Sequence, residues 1–450
     1  MALTIRQAGL VSALGVVACL GAAGDAVASG FALREESAEG LGDAYAGQTA
    51  KAYNASTAFY NPAGMTLLDR DEVAGTATWI APQSIFHGSN SNPLGGNVSG
   101  TTGDNAIKAA AIGSVFGVIT LNPDWKLGLS VSAPYGMRSE YKEDWVGRYQ
   151  ALASDVTDVE FSPTLAYKVD DHLSIAGGPR IDYFDAKLSQ AINFKGIGTA
   201  LGVQTGNFGL VGLANTWGDG EGKVTGDDTG YGYTLSGLYQ FNDATRLGVN
   251  YRSRVFHELS GNVNYQTPST LGLAAPIAAA FTNQNVKAKI TTPDTLAMGF
   301  YHDINAQWAV LSDVTWTHWS VFKTLNVVGD NTASVMSVNE QWKDSWFLSL
   351  GTNYKVDDKW TLHGGVAFDQ TPVQDQYRTA RIPDSDRYWL SSGVSYAFMP
   401  GADVHLGYTH IFAGTASINE AAPTNSVGGT LTGTYKNSVD IVSASFAVRF

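Results

Sequence analysis

The sequence predicts an all-β, membrane-spanning barrel. Three observations point to it: apolar/polar alternation through most of the chain after Asp71, short turns alternating with long connections, and an export leader at the start. One segment stands apart. Residues Ser29 to Met65, SGFALREESAEGLGDAYAGQTAKAYNASTAFYNPAGM, are rich in Ala and Gly, lack the period of two and end in an Asn-Pro turn. A non-strand segment ahead of a long all-β region predicts a plug inside the barrel.

The leader fixes the compartment. Arg6 supplies a positive start, Ala8 to Gly24 an apolar core, and Ala26-Val27-Ala28 a small-x-small cleavage site, so residues 1–28 read as a signal peptide. That core is too short and too rich in Gly and Ala to anchor in a membrane. Val16-Val17-Ala18-Cys19 weakly resembles a lipoprotein cleavage box, but apolar residues continue past it. Cys19 is the single cysteine, so cleavage at Ala28 leaves a chain without disulfides or thiol chemistry.

Past the leader no run approaches the ~18 apolar residues of a transmembrane helix. Charged residues are scarce at 15%, aromatics plentiful at 11%, and there are 50 glycines, a balance that suits strands facing lipid on one side and a lumen on the other. The net charge of −13 argues against a nucleic-acid partner. In the last strand Val442, Ala444, Phe446, Val448 and Phe450 share one face, and Ser443, Ser445, Ala447 and Arg449 the other. Leu390, Val394, Tyr396 and Phe398 oppose Ser391, Gly393 and Ser395 in the same way.

Fourteen strands are expected, starting near residues 72, 108, 125, 157, 173, 229, 245, 292, 307, 344, 359, 387, 402 and 438. Short turns fall at Asn122-Pro123-Asp124, Val169-Asp170-Asp171, Asn242-Asp243, Ile304-Asn305, Val356-Asp357-Asp358 and Met399-Pro400-Gly401. Long connections lie between them, at roughly 86–107, 136–156, 189–228, 264–291, 324–342, 371–386 and 413–437. Loops sorted this way, with an even strand count, describe a bacterial outer-membrane barrel with both termini periplasmic. Its surroundings would be outer-membrane lipid and lipopolysaccharide.

Gly30-Phe31, Gly40-Leu41-Gly42, Ala44-Tyr45-Ala46-Gly47 and above all Asn61-Pro62-Ala63-Gly64-Met65 resemble the start of the long-chain fatty-acid transporter (FadL) family of outer-membrane proteins. The resemblance runs on through Ser132-Ala133-Pro134-Tyr135-Gly136, Trp342-Lys343-Asp344-Ser345-Trp346 and Ile382-Pro383-Asp384-Ser385-Asp386-Arg387-Tyr388-Trp389-Leu390-Ser391. It implies a monomeric, 14-stranded antiparallel transmembrane β-barrel over 71–450, with a small N-terminal helical hatch over 29–70 inside the lumen. It also implies a cycle. A long-chain fatty acid or other hydrophobic small molecule is captured by extracellular loops 3 and 4 and passes to an internal pocket. Hatch movement then releases it through a lateral gap at strand 3.

The residues offer parts for such a cycle. One long loop carries Phe194, Ile197, Leu201, Phe208 and Leu210; the other carries Leu271, Leu273, Ile277 and Phe281. Exposed apolar surface of this extent marks a binding groove, unless the loops simply cap the barrel mouth by packing together. A fatty acid needs a cation for its carboxylate. Lys343 matches the family's lysine position, its alternative role being an ion pair with Asp344; Arg180 and Lys187 are further candidates. Where the family has a second basic residue this chain has Gln190, and a single lysine holds a carboxylate less firmly than an arginine fork.

Pro134 beside Gly136 either bends strand three away from its neighbour or ends it. Asn61, Pro62 and Ala63 read as a hatch hinge, or as a helix stop. Asp384, Asp386 and Arg387 suggest a polar network.

The eight histidines are scattered, and neither H-E-x-x-H nor G-x-S-x-G occurs. No enzyme activity, catalytic residue, metal or cofactor is therefore expected. The competing reading is a channel for neutral hydrocarbons, monoaromatics or alkanes, using the same groove and hatch.

Overall fold

The computed structural model describes residues 30–92, 96–330, 334–423 and 427–450, without the side chain of Leu273. The expected signal peptide, with Ser29, lies outside the described residues. Twenty strand segments make fourteen crossings of one closed antiparallel wall. The first five crossings are β1 (Glu72–Ser91), β2 (Ala110–Asn122), β3 (Trp125–Ser132) with β4 (Gly136–Glu140), β5 (Ala153–Lys168) and β6 (Leu173–Ile192). Next come β7 (Gly220–Asn242), β8 (Thr245–Arg252) with β9 (Val255–Gln266), β10 (Gln284–Thr292) with β11 (Thr295–Asp303), and β12 (Trp308–Thr317) continued by β13 (Thr324–Gly329). The remainder are β14 (Ser334–Asn339) leading into β15 (Ser345–Lys355), β16 (Trp360–Asp369), β17 (Arg387–Met399), β18 (Ala402–Ala413) with β19 (Ala416–Ala421), and β20 (Thr430–Arg449).

The last strand closes on the first, from Glu72 opposite Arg449 to Ser91 opposite Thr430. Closure gives every crossing two neighbours, which is how a sheet satisfies its backbone in hydrocarbon. Alternation sets the faces. In β17 Leu390 is 56% exposed on the outside, while Ser391 is buried with its hydroxyl 2.6 Å from that of Thr409. In β20 Val442 points out and Ser443 points in, 2.7 Å from Thr78. At the short-turn end, ring pairs Trp125–Tyr167, Trp308–Tyr354 and Trp360–Tyr396 lie 4.6, 4.6 and 4.3 Å apart. They sit where an interfacial aromatic girdle belongs.

Four strands begin earlier than the alternation predicted: at Ala153, Gly220, Gln284 and Thr430 rather than near 157, 229, 292 and 438. These extensions of the ladder stand beyond the apolar band, where the outward face turns polar, as at Lys287 and Lys289, while Val286, Ala288 and Ile290 face inward, so the membrane pattern is lost. The connection predicted over 324–342 contains the β13–β14 hairpin for the same reason.

Residues 30–70 lie inside the wall. Three short helices, α1 (Ala38–Gly42), α2 (Gln48–Lys51) and α3 (Thr57–Tyr60), are followed by a 3₁₀ turn over Pro62–Leu67. Helices this short do not persist alone; the barrel holds them. Arg246 donates to the carbonyls of Ala50 and Lys51 at 3.0 and 2.9 Å, and the Ser445 hydroxyl accepts from the Ala38 N–H at 2.8 Å. Lys51 and Asp43 form a fully buried pair at 2.8 Å. The wall glycines permit the contact: a Cβ at Gly365 would lie 2.2 Å from the Asp43 carbonyl oxygen, closer than a side chain can approach, and one at Gly407 2.3 Å from that of Ala38.

Candidate functional site

The third crossing is interrupted. β3 ends at Ser132 and β4 resumes at Gly136, so Pro134 marks a break rather than the end of the strand. β2 pairs with β3 only as far as Val115 opposite Val131; beyond it, Ile107 bridges Ser139. Between these points the wall has a gap. The hatch fills it from inside. Leu33 N–H donates to the Pro134 carbonyl at 2.8 Å, Gly136 N–H to the Phe31 carbonyl at 2.9 Å, and Ala133 N–H to the Glu36 carboxylate at 3.2 Å. Ala32 thus pairs with Tyr135 as a one-residue β-strand. A Cβ at Gly136 would stand 3.0 Å from Leu33, so this position faces the hatch and not the membrane.

Phe31 is the head of the segment. Its ring lies 4.8 Å from Trp319, 5.6 Å from Trp342, 5.8 Å from Tyr135 and 5.9 Å from Phe322, mostly edge to face. Such pairs add ~0.5–1.5 kcal/mol each beyond the area they bury. Upstream, the Asp384 carboxylate accepts from Gly30 N–H at 3.0 Å and from the Thr371 hydroxyl at 2.6 Å, and is paired with Arg387. Asp386 accepts from Thr371 N–H at 2.9 Å. The Asp384, Asp386 and Arg387 network therefore tethers the hatch's first residues.

Above Phe31 lies a cavity of about 740 Å³. Its walls are apolar (Met137, Phe184, Leu259, Val286, Ile290 and Ile382 among them), with Glu340 and Arg381 as its charged groups. Burial pushes the Glu340 carboxyl up to about 7, opposed by a bond from Trp342 and by the Arg381 charge. Arg381 is 5% exposed and donates to neutral oxygens: Ala153 carbonyl at 2.9 Å, Ser154 hydroxyl at 3.1 Å, Ser189 carbonyl at 3.2 Å and Gln190 amide oxygen at 3.2 Å. Among the described residues it forms no ion pair. The β16–β17 connection thus places a guanidinium beside Gln190. Arg381 immediately precedes the Ile382-Pro383-Asp384 stretch, and no periodicity in the sequence marks it as facing inward.

The two basic residues assigned from sequence stand elsewhere. Lys343 is exposed, bordering an open recess with Thr371, Gln374 and Asp386; it is Trp342 beside it that turns inward. Asp344 does not pair with Lys343 but accepts from Trp316 Nε1 and Ser320 N–H. Arg180 is buried but already committed, to Glu160 at 2.7 Å, Asp182 at 3.1 Å and the Ser253 carbonyl at 2.7 Å. Arg252 also pairs with Glu160, and Asp158 is buried in the same cluster. With these carboxylates already in place, Arg180 has no call for another. Lys187 pairs with Asp185 at 2.7 Å near the surface.

The two apolar loops fold into helices α4 (Phe194–Thr205), α5 (Phe208–Ala214) and α6 (Ala275–Ala280), with a 3₁₀ turn over Leu271–Leu273. Asn193 and Asn207 cap α4 and α5 through their side-chain oxygens, at 2.7 and 3.0 Å. Their apolar faces cover one another. Phe194, Leu271 and Ile277 are buried with Trp217; Ile197, Leu201, Leu210 and Phe281 pack around them; Phe208 points out at 77% exposure. Leu273's side chain lies outside the described residues. The expected open groove is thus largely a closed lid. An apolar groove of about 420 Å³ does run beneath it, lined by Ile192, Val263, Tyr265, Phe281 and Met336 and ending at Arg381.

At the hatch's other end, Asn61 joins plug to wall. Its amide nitrogen donates to the carbonyls of Thr49 (2.6 Å) and, on β7, Gly237 (3.1 Å), while its oxygen accepts from Ala63 N–H at 3.1 Å. Ala63 N–H also meets the Ser236 hydroxyl at 3.0 Å. Pro62 opens the 3₁₀ turn.

A closed barrel with a plugged lumen, an apolar chamber and an interrupted wall defines an outer-membrane transporter of hydrophobic compounds. The chain belongs to the family of outer membrane protein transport proteins (OMPP1/FadL/TodX), whose model matches residues 19–450. It is 29% identical over 405 residues to the long-chain fatty acid transport protein of Escherichia coli K12, covering 87% of this chain and 90% of that one. It is 30% identical over 414 residues to the 47 kDa outer membrane protein of Pasteurella multocida, covering 89% and 90%. Among solved structures, a Pseudomonas aeruginosa FadL homologue superposes with a TM-score of 0.86 at 24% identity, over 94% of this chain and all of that one. The Pseudomonas putida toluene transporter TodX gives 0.63 at 18% identity, over 94% and 100%. The family is one of transporters and channels, not enzymes, and its place is the outer membrane.

The Arg180 cluster carries a prediction. Removing one partner of a buried ion pair costs about 3–5 kcal/mol, so Arg180→Met should lower the barrel's unfolding midpoint in urea. The affinity of the refolded protein for a fluorescent fatty acid should stay within twofold. A lost affinity in a fully stable variant would return Arg180 to the binding site.

Proposed function

We propose that this protein takes up long-chain fatty acids across the outer membrane. The acid enters the groove beneath the loop helices, lies in the upper cavity with its carboxylate on Arg381, and leaves through the gap at the third crossing once residues 30–36 withdraw. One observation supports this above the rest: a buried arginine with no carboxylate ion pair among the described residues borders both the groove and the apolar chamber. Leu188 and Val224 also line both spaces, so an alkyl chain passes from one to the other without crossing water. Each methylene buried contributes ~0.8 kcal/mol. The sequence relatives described as long-chain fatty acid transport proteins support the same reading.

The exit half rests on what holds the gap closed. Phe31 lines the upper cavity while Ala32, Leu33 and Pro134 line a second cavity below it. Withdrawal of this short segment would join the two spaces and open the wall together. Asn61, Pro62 and Ala63 would keep the rest of the hatch docked on β7 during that movement.

The competing ligand is a neutral hydrocarbon, for which the apolar walls would serve equally. Arg381→Met separates the two. A charge-assisted hydrogen bond contributes about 1.5–3 kcal/mol, so palmitate affinity should fall roughly 10- to 100-fold while hexadecane uptake is unchanged. Lys343→Met should leave both near wild type. Equal palmitate affinity in Arg381→Met would refute the carboxylate role and favour the hydrocarbon channel.

Glu340 adds a pH signature. Its carboxyl is neutral below about 7 and ionises above, placing a negative charge in the chamber that holds the Arg381 cation. Dodecyl sulfonate, ionised throughout, should therefore bind more weakly at pH 8.5 than at pH 5.5. Burial pushes Glu420, which also acts on Arg381, up to about 7 as well. Glu340→Gln should therefore shrink that profile in a titration of the purified protein, and Glu340→Gln with Glu420→Gln should flatten it; a profile unaltered by Glu340→Gln would remove Glu340 from the site.

A further inference from the structure

The second cavity lies below the Phe31–Leu33 segment and holds about 780 Å³. It differs in chemistry from the chamber above. Gln48, Thr49, Asn250, Thr295, Thr315 and Thr317 add hydroxyl and amide groups to a lining otherwise made of aromatic rings, Leu33, Pro134 and alanines, with Asp313 beside them. Two arginines reach it. Arg252 is committed to Glu160 and stacks over Phe59 at 4.2 Å. Arg34 is not committed. Its guanidinium lies 4.2 Å over the Phe347 ring, and among the described residues its side chain has neither a hydrogen bond nor an ion pair.

The acids that share its field are otherwise engaged. Asp313, on the same cavity wall, accepts from Thr49 N–H at 3.0 Å; Glu35 accepts from the Arg34 backbone N–H at 2.8 Å; Asp369 pairs with Arg387 at 3.5 Å. A guanidinium with all its donors free, held flat on an aromatic ring, offers a fork matched to a carboxylate. The cavity's other border is the wall break itself, at Pro134 and Tyr135.

We propose that the lower cavity is a second binding station for an alkyl carboxylate, with Arg34 as the group that takes its head. The proposal rests on the fatty-acid reading above and adds to it a relay. Arg34 belongs to the segment whose Phe31 closes the upper chamber and moves with it, so the cation that takes the head group is carried three residues from the side chain that releases it. The hydroxyl and amide groups on its wall suit a charged head group pausing here, and its apolar surface suits the chain that threads toward the gap. A neutral hydrocarbon gains nothing from such a stop.

The test uses the full chain, in cells and as purified protein. Arg34→Met should cut palmitate uptake at least fivefold and leave hexadecane uptake unchanged, with Arg34→Lys restoring most of the palmitate rate. Titration with dansyl-labelled undecanoate should fall from two equivalents bound to one, the tighter site keeping its affinity within twofold. Normal palmitate uptake by Arg34→Met would overturn the station. So would a parallel loss of palmitate and hexadecane, which would mean that Arg34 only steadies the hatch. The underlying reading fails separately: it falls if Arg381→Met keeps wild-type palmitate affinity, and stands if that affinity drops while Arg34→Met changes nothing.

Discussion

Three hydrogen bonds between the hatch and the interrupted third crossing govern the rest of this structure. Phe31, Leu33 and Glu36 meet the backbone of Ala133, Pro134 and Gly136 at 2.8–3.2 Å. A backbone group without a partner at bilayer depth is costly, so the wall tolerates its break only because the hatch completes it. The same few residues separate the two cavities and seat Phe31 among four aromatic rings. Wall integrity and plug position are therefore one equilibrium, to which the proposed passage adds a third term.

Electrostatics explain which cation is available to a ligand. Arg180 is the more conspicuous buried arginine, yet Glu160 and Asp182 satisfy it within the wall. Arg381 is held by four neutral oxygens, which fix its position and leave its charge unopposed by direct contact. Buried charges without a direct counterion are expensive, and in the proposed function an arriving anion would offset that cost beyond what Glu420 and Glu340 do from a distance. Distribution of partners, more than burial or sequence position, sorts the structural arginine from the receptive one.

Much of the fold was legible because membrane barrels enforce a period of two. β17 and β20 could be oriented residue by residue, and the Ala- and Gly-rich segment announced itself by lacking the period. The gap at Pro134 was legible as an alternative, since proline cannot donate to a ladder. What the sequence hid was contact between distant segments. Phe31 looks like any hydrophobic residue until Trp319, Phe322 and Trp342 surround it, and Arg381 lies in an extended connection whose direction no local pattern fixes. Lys343 misled because its neighbour Trp342 takes the inward position. The oily loops misled because helices α4 to α6 hide their apolar faces in each other, an arrangement that composition alone does not distinguish from an open groove.

In the proposed cycle residues 30–36 must leave the wall break for cargo to pass. Cleavage at Ala28 would leave no native cysteine to interfere, and Ala32 and Tyr135 form an antiparallel pair without direct bonds between them. Such a pair brings Cα atoms to about 4.5 Å, within disulfide reach. In the double variant Ala32→Cys, Tyr135→Cys, palmitate uptake should stop when the disulfide forms and return when a reductant opens it, with each single variant indifferent to both treatments. Uptake that continues at the reduced-state rate in the cross-linked protein would mean that cargo passes without this segment moving.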